Sequence, residues 1–210
     1  MGLFSRRNKQ KTSHLDEIKI SFEGETPAFT ADYKVTYDDI LHGMEVVAAN
    51  EDKKRIYGGL AILIVCSILA VPRLYEFNKV FCFIFIFFAL YLVAGQIFGP
   101  PISRRRTAKD VAAQQKECRL HLYPGGYQVI EKRTLYNVPF RVVTCYESER
   151  AYIFKLINNN MMVFNKEIFG ENNPLVREIF IANMGQGRRY FLVDENGKII
   201  SNQARYNESK

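Results

Sequence analysis

The sequence contains no tryptophan, only three histidines and only four cysteines among its 210 residues. The four cysteines are spread along the chain, at Cys66, Cys82, Cys118 and Cys145. No two of them are close enough in sequence to form a metal-binding pair, and their number excludes a disulfide-rich secreted scaffold. We therefore expect all four to be reduced thiols.

The three histidines are equally scattered, at His14, His42 and His121. None has a carboxylate or a nucleophile at a recognisable catalytic spacing. Cys118 and His121 form a C-x-x-H spacing, but residues three apart on a strand face opposite sides, so one ion cannot easily reach both. The turn "YPGGY" lacks the lysine and hydroxyl residue of a phosphate loop. The sequence therefore predicts no catalytic, cofactor-binding or metal-binding residue, and we expect that the protein is not an enzyme.

Charged residues are scarce in one long part of the chain. Between residues 56 and 103 the only charged side chains are Arg73, Glu76 and Lys79. A helix over 56–72 would span about 25 Å, and one from residue 80 has length to spare against a hydrocarbon core of ~30 Å. The alternative is a pair of buried core elements, but a small soluble domain has too little core to bury apolar runs of this length. We therefore expect two transmembrane helices, at 56–72 and 80–99.

Basic residues flank the predicted hairpin on one side. Three of them precede the first helix, and these are Lys53, Lys54 and Arg55. Four follow the second helix, and these are Arg104, Arg105, Arg106 and Lys109. The turn at 73–79 carries only two basic residues and one acidic residue. By the positive-inside rule we expect a multi-pass plasma-membrane protein with both termini cytoplasmic and an extracytoplasmic turn.

The four basic residues after the second helix are the only candidate site. At the inner edge of the membrane, each of Arg104, Arg105, Arg106 and Lys109 can add about 1 kcal/mol of attraction to anionic lipid. The alternative is that they only fix the topology. The net charge of +7 would also suit nucleic acid, but no nucleic-acid-binding motif accompanies these residues. We expect the lipid bilayer as a partner, with anionic lipid or a membrane protein as a further partner, and no nucleic acid.

The N-terminal arm combines a basic tail with two strands and a helix. We expect residues 1–15 to be disordered, and residues 16–55 to contain the strands "DEIKISFEG" and "AFTADYKVT" and then a helix. Thr36 can cap this helix, with Asp39 at the capping-box position. Its apolar residues share one face, formed by Ile40, Leu41, Met44, Val47 and Ala48. The helix either lies along the membrane surface, continues into the first span, or packs on a soluble domain.

The C-terminal arm contains short strands. "GPP" at 99–101 is expected to break or kink the second span, so that 100–117 form a basic juxtamembrane helix. Turn residues at Pro124-Gly125-Gly126, at Asn137-Val138-Pro139 and at 158–160 separate the strand candidates. These candidates are "CRLHLY", "YQVIEK", "RVVTCYE", "AYIFKL" and "MMVFN".

A helix closes this cytosolic domain, which we expect to cover residues 118–184. Asn173 caps the helix, Pro174 is its first residue, and Gly185 lies just past its end. Residues 185–210 form an extension with a hairpin that turns at Asn196-Gly197. The predicted fold class is α+β, with two transmembrane helices and an antiparallel cytosolic meander closed by a C-terminal helix.

The order of these segments resembles that of YcxB-like membrane proteins over residues 33–182. "CRLHLYPGGYQVI" is similar to their strand, turn and strand, "VPFRVVTCYESERAYIFKL" to a proline-aromatic pair leading into two strands, and "VFNKEIF" precedes the last helix. Phe140 stands where that family commonly has tryptophan, and Asn165 where it has proline. The resemblance implies a bacterial inner-membrane protein with a cytosolic domain, sometimes likened to pleckstrin-homology folds, and no established reaction.

The two upstream strands have no partners of their own, and an isolated pair is marginal in water. With the five downstream strands they total about seven, the number that a pleckstrin-homology-like barrel needs. We therefore expect the hairpin to be inserted into a single cytosolic domain. The expected function is a non-catalytic, membrane-anchored interaction domain that binds a protein partner or a lipid headgroup. The alternative is an accessory subunit of a transporter or envelope complex, assembled through the hairpin.

Overall fold

The computed structural model describes residues 22–114, 117–131, 134–158, 160–185 and 187–202, without the side chains of 51–56. This part of the chain forms an α+β fold of three α-helices and nine strands in two sheets. The helices are α1 (Tyr37–Phe77), α2 (Lys79–Ala113) and α3 (Asn173–Met184). The strands are β1 (Phe29–Lys34), β2 (Glu117–Tyr123), β3 (Gly126–Glu131), β4 (Thr134–Pro139), β5 (Val143–Glu147), β6 (Ala151–Leu156), β7 (Met161–Asn165), β8 (Tyr190–Val193) and β9 (Ile199–Asn202). The predicted disordered tail and all of the first predicted strand before Phe22 lie outside the described residues.

The first two helices are joined by a single residue, Asn78. Its backbone N–H donates to the carbonyl of Leu74 at 2.8 Å and ends α1, while its side-chain oxygen accepts from the N–H of Val80 at 2.9 Å and caps α2. One asparagine in an extended conformation thus serves both helix ends. The predicted seven-residue turn at 73–79 is therefore wrong, because α1 continues through Pro72 and Arg73 to Phe77.

The second helix does not break at Gly99–Pro101. It continues for 35 residues, through Pro100 and Pro101, to Ala113. The fixed φ of proline is compatible with a helix, but each proline lacks an N–H donor and its ring crowds the carbonyl four residues earlier, so α2 lacks two internal hydrogen bonds at this turn. The predicted separate juxtamembrane helix over 100–117 is therefore the last part of α2, and β2 already begins at Glu117.

Two helical segments are long and apolar enough to cross a membrane, judged by length and composition. They are Tyr57–Phe77 of α1 and Lys79–Ala113, the whole of α2. In the most apolar window of the first segment, no residue is buried against other parts of the described chain. In that of the second segment, only 6% of the residues are buried. A helix in a soluble core would have its apolar residues covered, so these two helices lack the packing of core helices.

The first sheet contains β1 to β4 in sequential order, and every neighbouring pair is antiparallel. Phe29 of β1 pairs with Leu122 of β2, and Lys34 pairs with Glu117. The strand before the long helices is therefore a direct neighbour of the strand that follows them. For β1 this is the arrangement that the inserted-hairpin hypothesis expects, because both long helices leave the sheet between adjacent strands and return to it.

Strand β4 was not predicted from the sequence. Asn137, Val138 and Pro139 were predicted as a turn, but they pair with β3, and the side chain of Gln128 donates to that of Asn137 at 2.9 Å. Proline is tolerated here because β4 is an edge strand, so its missing N–H leaves no neighbouring carbonyl without a partner.

The second sheet has the strand order β7-β6-β5-β8-β9. Its pairs are antiparallel except that between β5 and β8, which is parallel, with Cys145 opposite Tyr190. Within the predicted domain over 118–184 every strand pair is antiparallel, and the parallel pair involves β8 of the predicted extension. The predicted C-terminal hairpin exists, with Gly197 in its turn at φ +72°, but it extends this sheet rather than forming a separate appendage.

The second sheet is covered on both faces. Alternate side chains of β5 to β8 point toward the first sheet and α3 on one side and toward α1 on the other. The inner face contributes Cys145, Tyr152, Phe154, Phe164 and Tyr190 to a core shared with the first sheet. The outer face contributes Tyr146, Ala151, Ile153, Val163 and Val193, which pack with α1.

Helix α3 closes the core as predicted, with Gly185 directly after its last residue. Its N-cap is Asn172 rather than Asn173, and Pro174 lies in its first turn. Phe180 is fully buried and meets four aromatic rings, those of Phe140, Tyr152, Phe154 and Phe169.

Candidate functional site

The first part of α1 packs on the outer face of the second sheet before the helix becomes a predicted span. Thr36 caps the helix by accepting from the N–H of Asp39 at 3.2 Å, as predicted. Val46 is 1% exposed, and an added Cβ at Gly43 would lie 2.5 Å from Cγ2 of Val163, so helix and strand are in close contact. The sequence left three possibilities for this helix: along the membrane surface, continuing into the first span, or packed on the domain. In the structure it packs on the domain and also continues into the apolar segment.

The predicted apolar face of this helix is only partly correct. Ile40 is buried, but Leu41, Met44, Val47 and Ala48 are half-exposed, and the most buried residue of this segment is Val46. The contact face is thus rotated toward Gly43 and Val46. A hydrophobicity pattern gives no weight to glycine, although its missing side chain is what allows β7 to approach here.

Polar contacts hold the beginning of α1 to the turn between β5 and β6. Nε2 of His42 lies 3.0 Å from Oγ of Ser148, and Arg150 donates to the carbonyl of Asp38 at 3.0 Å. Burial lowers the pKa of His42, and the nearby Arg150 lowers it further, against the smaller opposing effect of Asp39. Ser148 is only 5% exposed, and its hydroxyl also donates to the carbonyl of Ala151 at 3.1 Å. We interpret this pair as a structural contact.

The hairpin of β8 and β9 holds the same helix further along. The Nδ2 group of Asn50 donates to the carbonyl of Gly197 at 2.6 Å, and its Oδ1 accepts from the N–H of Ile199 at 3.3 Å. An added Cβ at Gly197 would lie 2.9 Å from Cα of Val46. The C-terminal hairpin is therefore fixed to α1 just before the apolar segment begins.

The four predicted membrane-surface residues lie together on α2. Arg105, Arg106 and Lys109 are exposed, and Arg104 is half-buried. They follow the apolar segment without interruption because α2 remains helical through the two prolines. The structure thus places the four cations within two turns of one helix, directly beyond the apolar residues.

One contact fixes the pairing of the two long helices. The side chain of Gln96 lies against Gly59, where an added Cβ would be 3.1 Å from its Oε1. This oxygen is buried and has no hydrogen-bond partner among the described residues. Closer to Asn78, Cys82 is buried and its thiol lies 3.8 Å from the carbonyl of Val71. The two helices therefore pack as an antiparallel pair.

A buried ionic cluster was not anticipated from the sequence. The carboxylate of Glu147 accepts from Lys166 at 2.8 Å, from Arg177 at 2.9 and 3.0 Å, and from the hydroxyl of Tyr190 at 2.6 Å. Burial alone would raise the pKa of Glu147, but the hydrogen bonds from these three side chains outweigh it and lower this pKa. No sequence signal marks the cluster, because its members come from four separate elements.

The His, Cys, Asp and Glu side chains of the described residues are not gathered into a metal-binding group. No group of three or more His, Cys, Asp or Glu side chains within them is placed to hold a metal ion. Cys118 is buried, whereas His121 lies on the outer face of the first sheet beside Thr30, 2.8 Å away, so the C-x-x-H pair does face opposite sides. An open cleft of about 530 Å³ beside β1 and β2 is crossed by an exposed Asp32–Arg119 ion pair.

No protein family, curated protein or solved structure matches this chain. The resemblance to YcxB-like proteins therefore remains a prediction from the sequence.

Proposed function

We propose that the protein anchors a small, non-catalytic interaction domain to the inner face of a bacterial plasma membrane. In this proposal, Tyr57–Phe77 and the apolar part of α2 cross the bilayer, and both termini are cytoplasmic. One observation carries the proposal: α1 is a single helix whose first part is buried against a sheet and whose last part is apolar and uncovered. Such a helix joins a folded domain directly to a membrane span.

The strand arrangement supports a pleckstrin-homology-like domain as the cytosolic part. The first sheet has four antiparallel strands, β1 to β4. In chain order, β5 to β7 of the second sheet come next, and α3 follows them. Seven strands and a closing helix are the number expected of such a domain, but here one described strand precedes the long helices and six follow them, instead of two and five. The parallel pairing of β8 with β5 is an addition to that order.

Cell fractionation tests the anchor. We expect the full-length protein to stay in the membrane pellet after alkaline carbonate washing and to be released by detergent. A C-terminal tag should resist protease added to intact cells and be cleaved in inverted membrane vesicles. Release by carbonate would contradict the anchor, and cleavage of the tag on intact cells would contradict the orientation.

The basic segment of α2 gives a prediction about lipid. The double substitution Arg105→Gln/Arg106→Gln should lower the ratio of anionic to neutral lipid that co-purifies in mild detergent. The expected fall is severalfold, with roughly thirtyfold as an upper limit, because each cation contributes about 1 kcal/mol at the membrane surface.

A matched control removes the same charge elsewhere. Arg141→Gln/Arg188→Gln replaces two arginines that are exposed and lie outside the long helices, so it should leave the lipid ratio unchanged. If both double variants lower the ratio equally, net charge rather than this segment attracts the lipid. If neither does, the four cations serve only to set the topology.

The accessory-subunit alternative depends on a different observation. The surface of α2 exposes Phe81, Phe83, Phe87 and Phe88, each between 57% and 75% exposed. In a bilayer these rings can face lipid or a second membrane protein. A photo-crosslinker at Phe87 that captures one specific membrane protein, rather than lipid alone, would favour assembly through the hairpin.

A further inference from the structure

We propose that the hairpin of β8 and β9 is a second membrane contact, through which Lys198, Ile199 and Ile200 touch the anionic inner leaflet beside the anchor. This inference rests on the proposed membrane anchor and adds a function for the C-terminal strands. It fixes the orientation of the whole domain on the bilayer, because Asn50 of α1 is hydrogen-bonded to Gly197 and Ile199 of this hairpin.

The start of β9 exposes apolar side chains on an edge strand. Ile200 is 68% exposed and Ile199 is 42% exposed, and the exposed Lys198 precedes them. Ile199 and Ile200 lie at the start of a four-residue edge strand, beside an irregularity in its pairing with β8, and about two-thirds of Ile200 stays uncovered in the described fold. Exposed apolar side chains on a sheet edge are usually covered or replaced by charged ones. A lysine followed by two isoleucines suits a surface that offers both negative charge and hydrocarbon.

The position of the hairpin along α1 brings it to the membrane surface. Asn50, which holds both Gly197 and Ile199, lies seven residues before Tyr57, or about 10 Å along the helix axis. The headgroup layer of one leaflet extends roughly 5–8 Å beyond the hydrocarbon. Side chains that leave the backbone beside Asn50 are therefore within reach of that layer.

The basic segment of α2 lies at the same level. Gln96 of α2 packs against Gly59 of α1, which fixes the pairing of the two antiparallel helices. Arg105 lies nine residues after Gln96, and Asn50 lies nine residues before Gly59. Because the two helices are antiparallel, Arg105 and Asn50 are therefore at the same level. The exposed cations of α2 and the exposed isoleucines of β9 thus lie at the same distance along the helix axis from the start of the apolar segments. Because both kinds of side chain occur at the height where a span must meet headgroups, we assign the surface to lipid rather than to a protein partner.

The absence of tryptophan makes the test direct. Single-tryptophan variants of the full-length protein, reconstituted in phosphatidylglycerol–phosphatidylcholine nanodiscs, report lipid contact through quenching by brominated acyl chains. Ile200→Trp probes the hairpin. Phe87→Trp, at a 75% exposed position within the apolar part of α2, probes the anchor. Tyr37→Trp is the distant control, because the first residue of α1 lies about 30 Å along the helix from Tyr57.

We expect Ile200→Trp to lose most of its emission when the bromines are placed near the headgroups, and Tyr37→Trp to lose none. If Ile200→Trp is unaffected while Phe87→Trp is quenched, the anchor stands and this inference is wrong. A blue-shifted emission from Ile200→Trp without quenching also overturns it, because a protein surface or a second copy of the chain then covers β9. If Phe87→Trp is not quenched, the anchor itself is wrong, and the inference with it.

Discussion

Replacing Phe180 with alanine is expected to lower the free energy of unfolding of the folded domain by about 3–5 kcal/mol. Phe180 is fully buried on α3, and its ring contacts those of Phe140, Tyr152, Phe154 and Phe169 at centroid distances of 4.8–6.3 Å. Removing it deletes apolar burial and leaves a cavity at the point where α3 meets the core. Because these neighbours come from different elements, one local shift cannot close the cavity.

The measurement is thermal unfolding of the full-length protein in mild detergent, followed by the near-ultraviolet circular dichroism of the buried tyrosines. The expected fall in midpoint is about 10 °C. Leu175→Ala is the matched control on the same helix, since Leu175 is 49% exposed and its loss should change the midpoint little. A Phe180→Ala midpoint as high as that of the control would mean that α3 does not close the core.

The second large effect is expected at Glu147. Replacing it with alanine should destabilise the domain by about 3–5 kcal/mol, because removing one partner of a buried ion pair leaves the others without compensation. The carboxylate is 7% exposed and accepts from Lys166, Arg177 and Tyr190. Lys166 is only 20% exposed, and Tyr190 is fully buried, so neither partner gains much hydration when the carboxylate is lost.

Acid titration distinguishes this cluster from a simple packing effect. The folded pKa of Glu147 is lowered, so its contribution to stability is fully present above its unfolded pKa of about 4.3 and is lost as pH falls toward the lower folded value. In Glu147→Gln, which keeps the shape without the charge, this part of the acid dependence should disappear. If the parent protein and Glu147→Gln lose stability in parallel between about pH 5 and pH 2, the ionised carboxylate does not stabilise the fold.

Where local chemistry decides an element, the sequence was sufficient. Strands β6 and β7 lie at the predicted positions, because the turn residues at 158–160 separate two short apolar runs. Helix α3 ends before Gly185, and the last hairpin turns at Asn196-Gly197, where glycine adopts the positive φ that the turn requires. In each case the deciding residues are neighbours in the chain.

Where distant partners decide, the sequence was not sufficient. The segment "TLYNVP" is a strand, β4, only because β3 lies beside it. The two prolines of α2 remain helical although proline usually ends a helix. The parallel pairing of β8 with β5 depends on α3 carrying the chain back across the sheet. The candidate cations on α2 were visible from their charge and position. The hydrogen bonds from Asn50 to the hairpin of β8 and β9 were not visible from the sequence, because they join residues nearly 150 positions apart.

The place where the long helices interrupt the first sheet has a consequence for biogenesis. β1 leaves the ribosome early, but its neighbour β2 follows only after both long helices have been synthesised. Under the proposed anchoring, the cytosolic sheet cannot be completed until the translocon has released both segments into the bilayer. Correct insertion thus becomes a checkpoint for folding, and a chain that fails to insert would retain an unpaired strand edge that quality-control proteases can recognise.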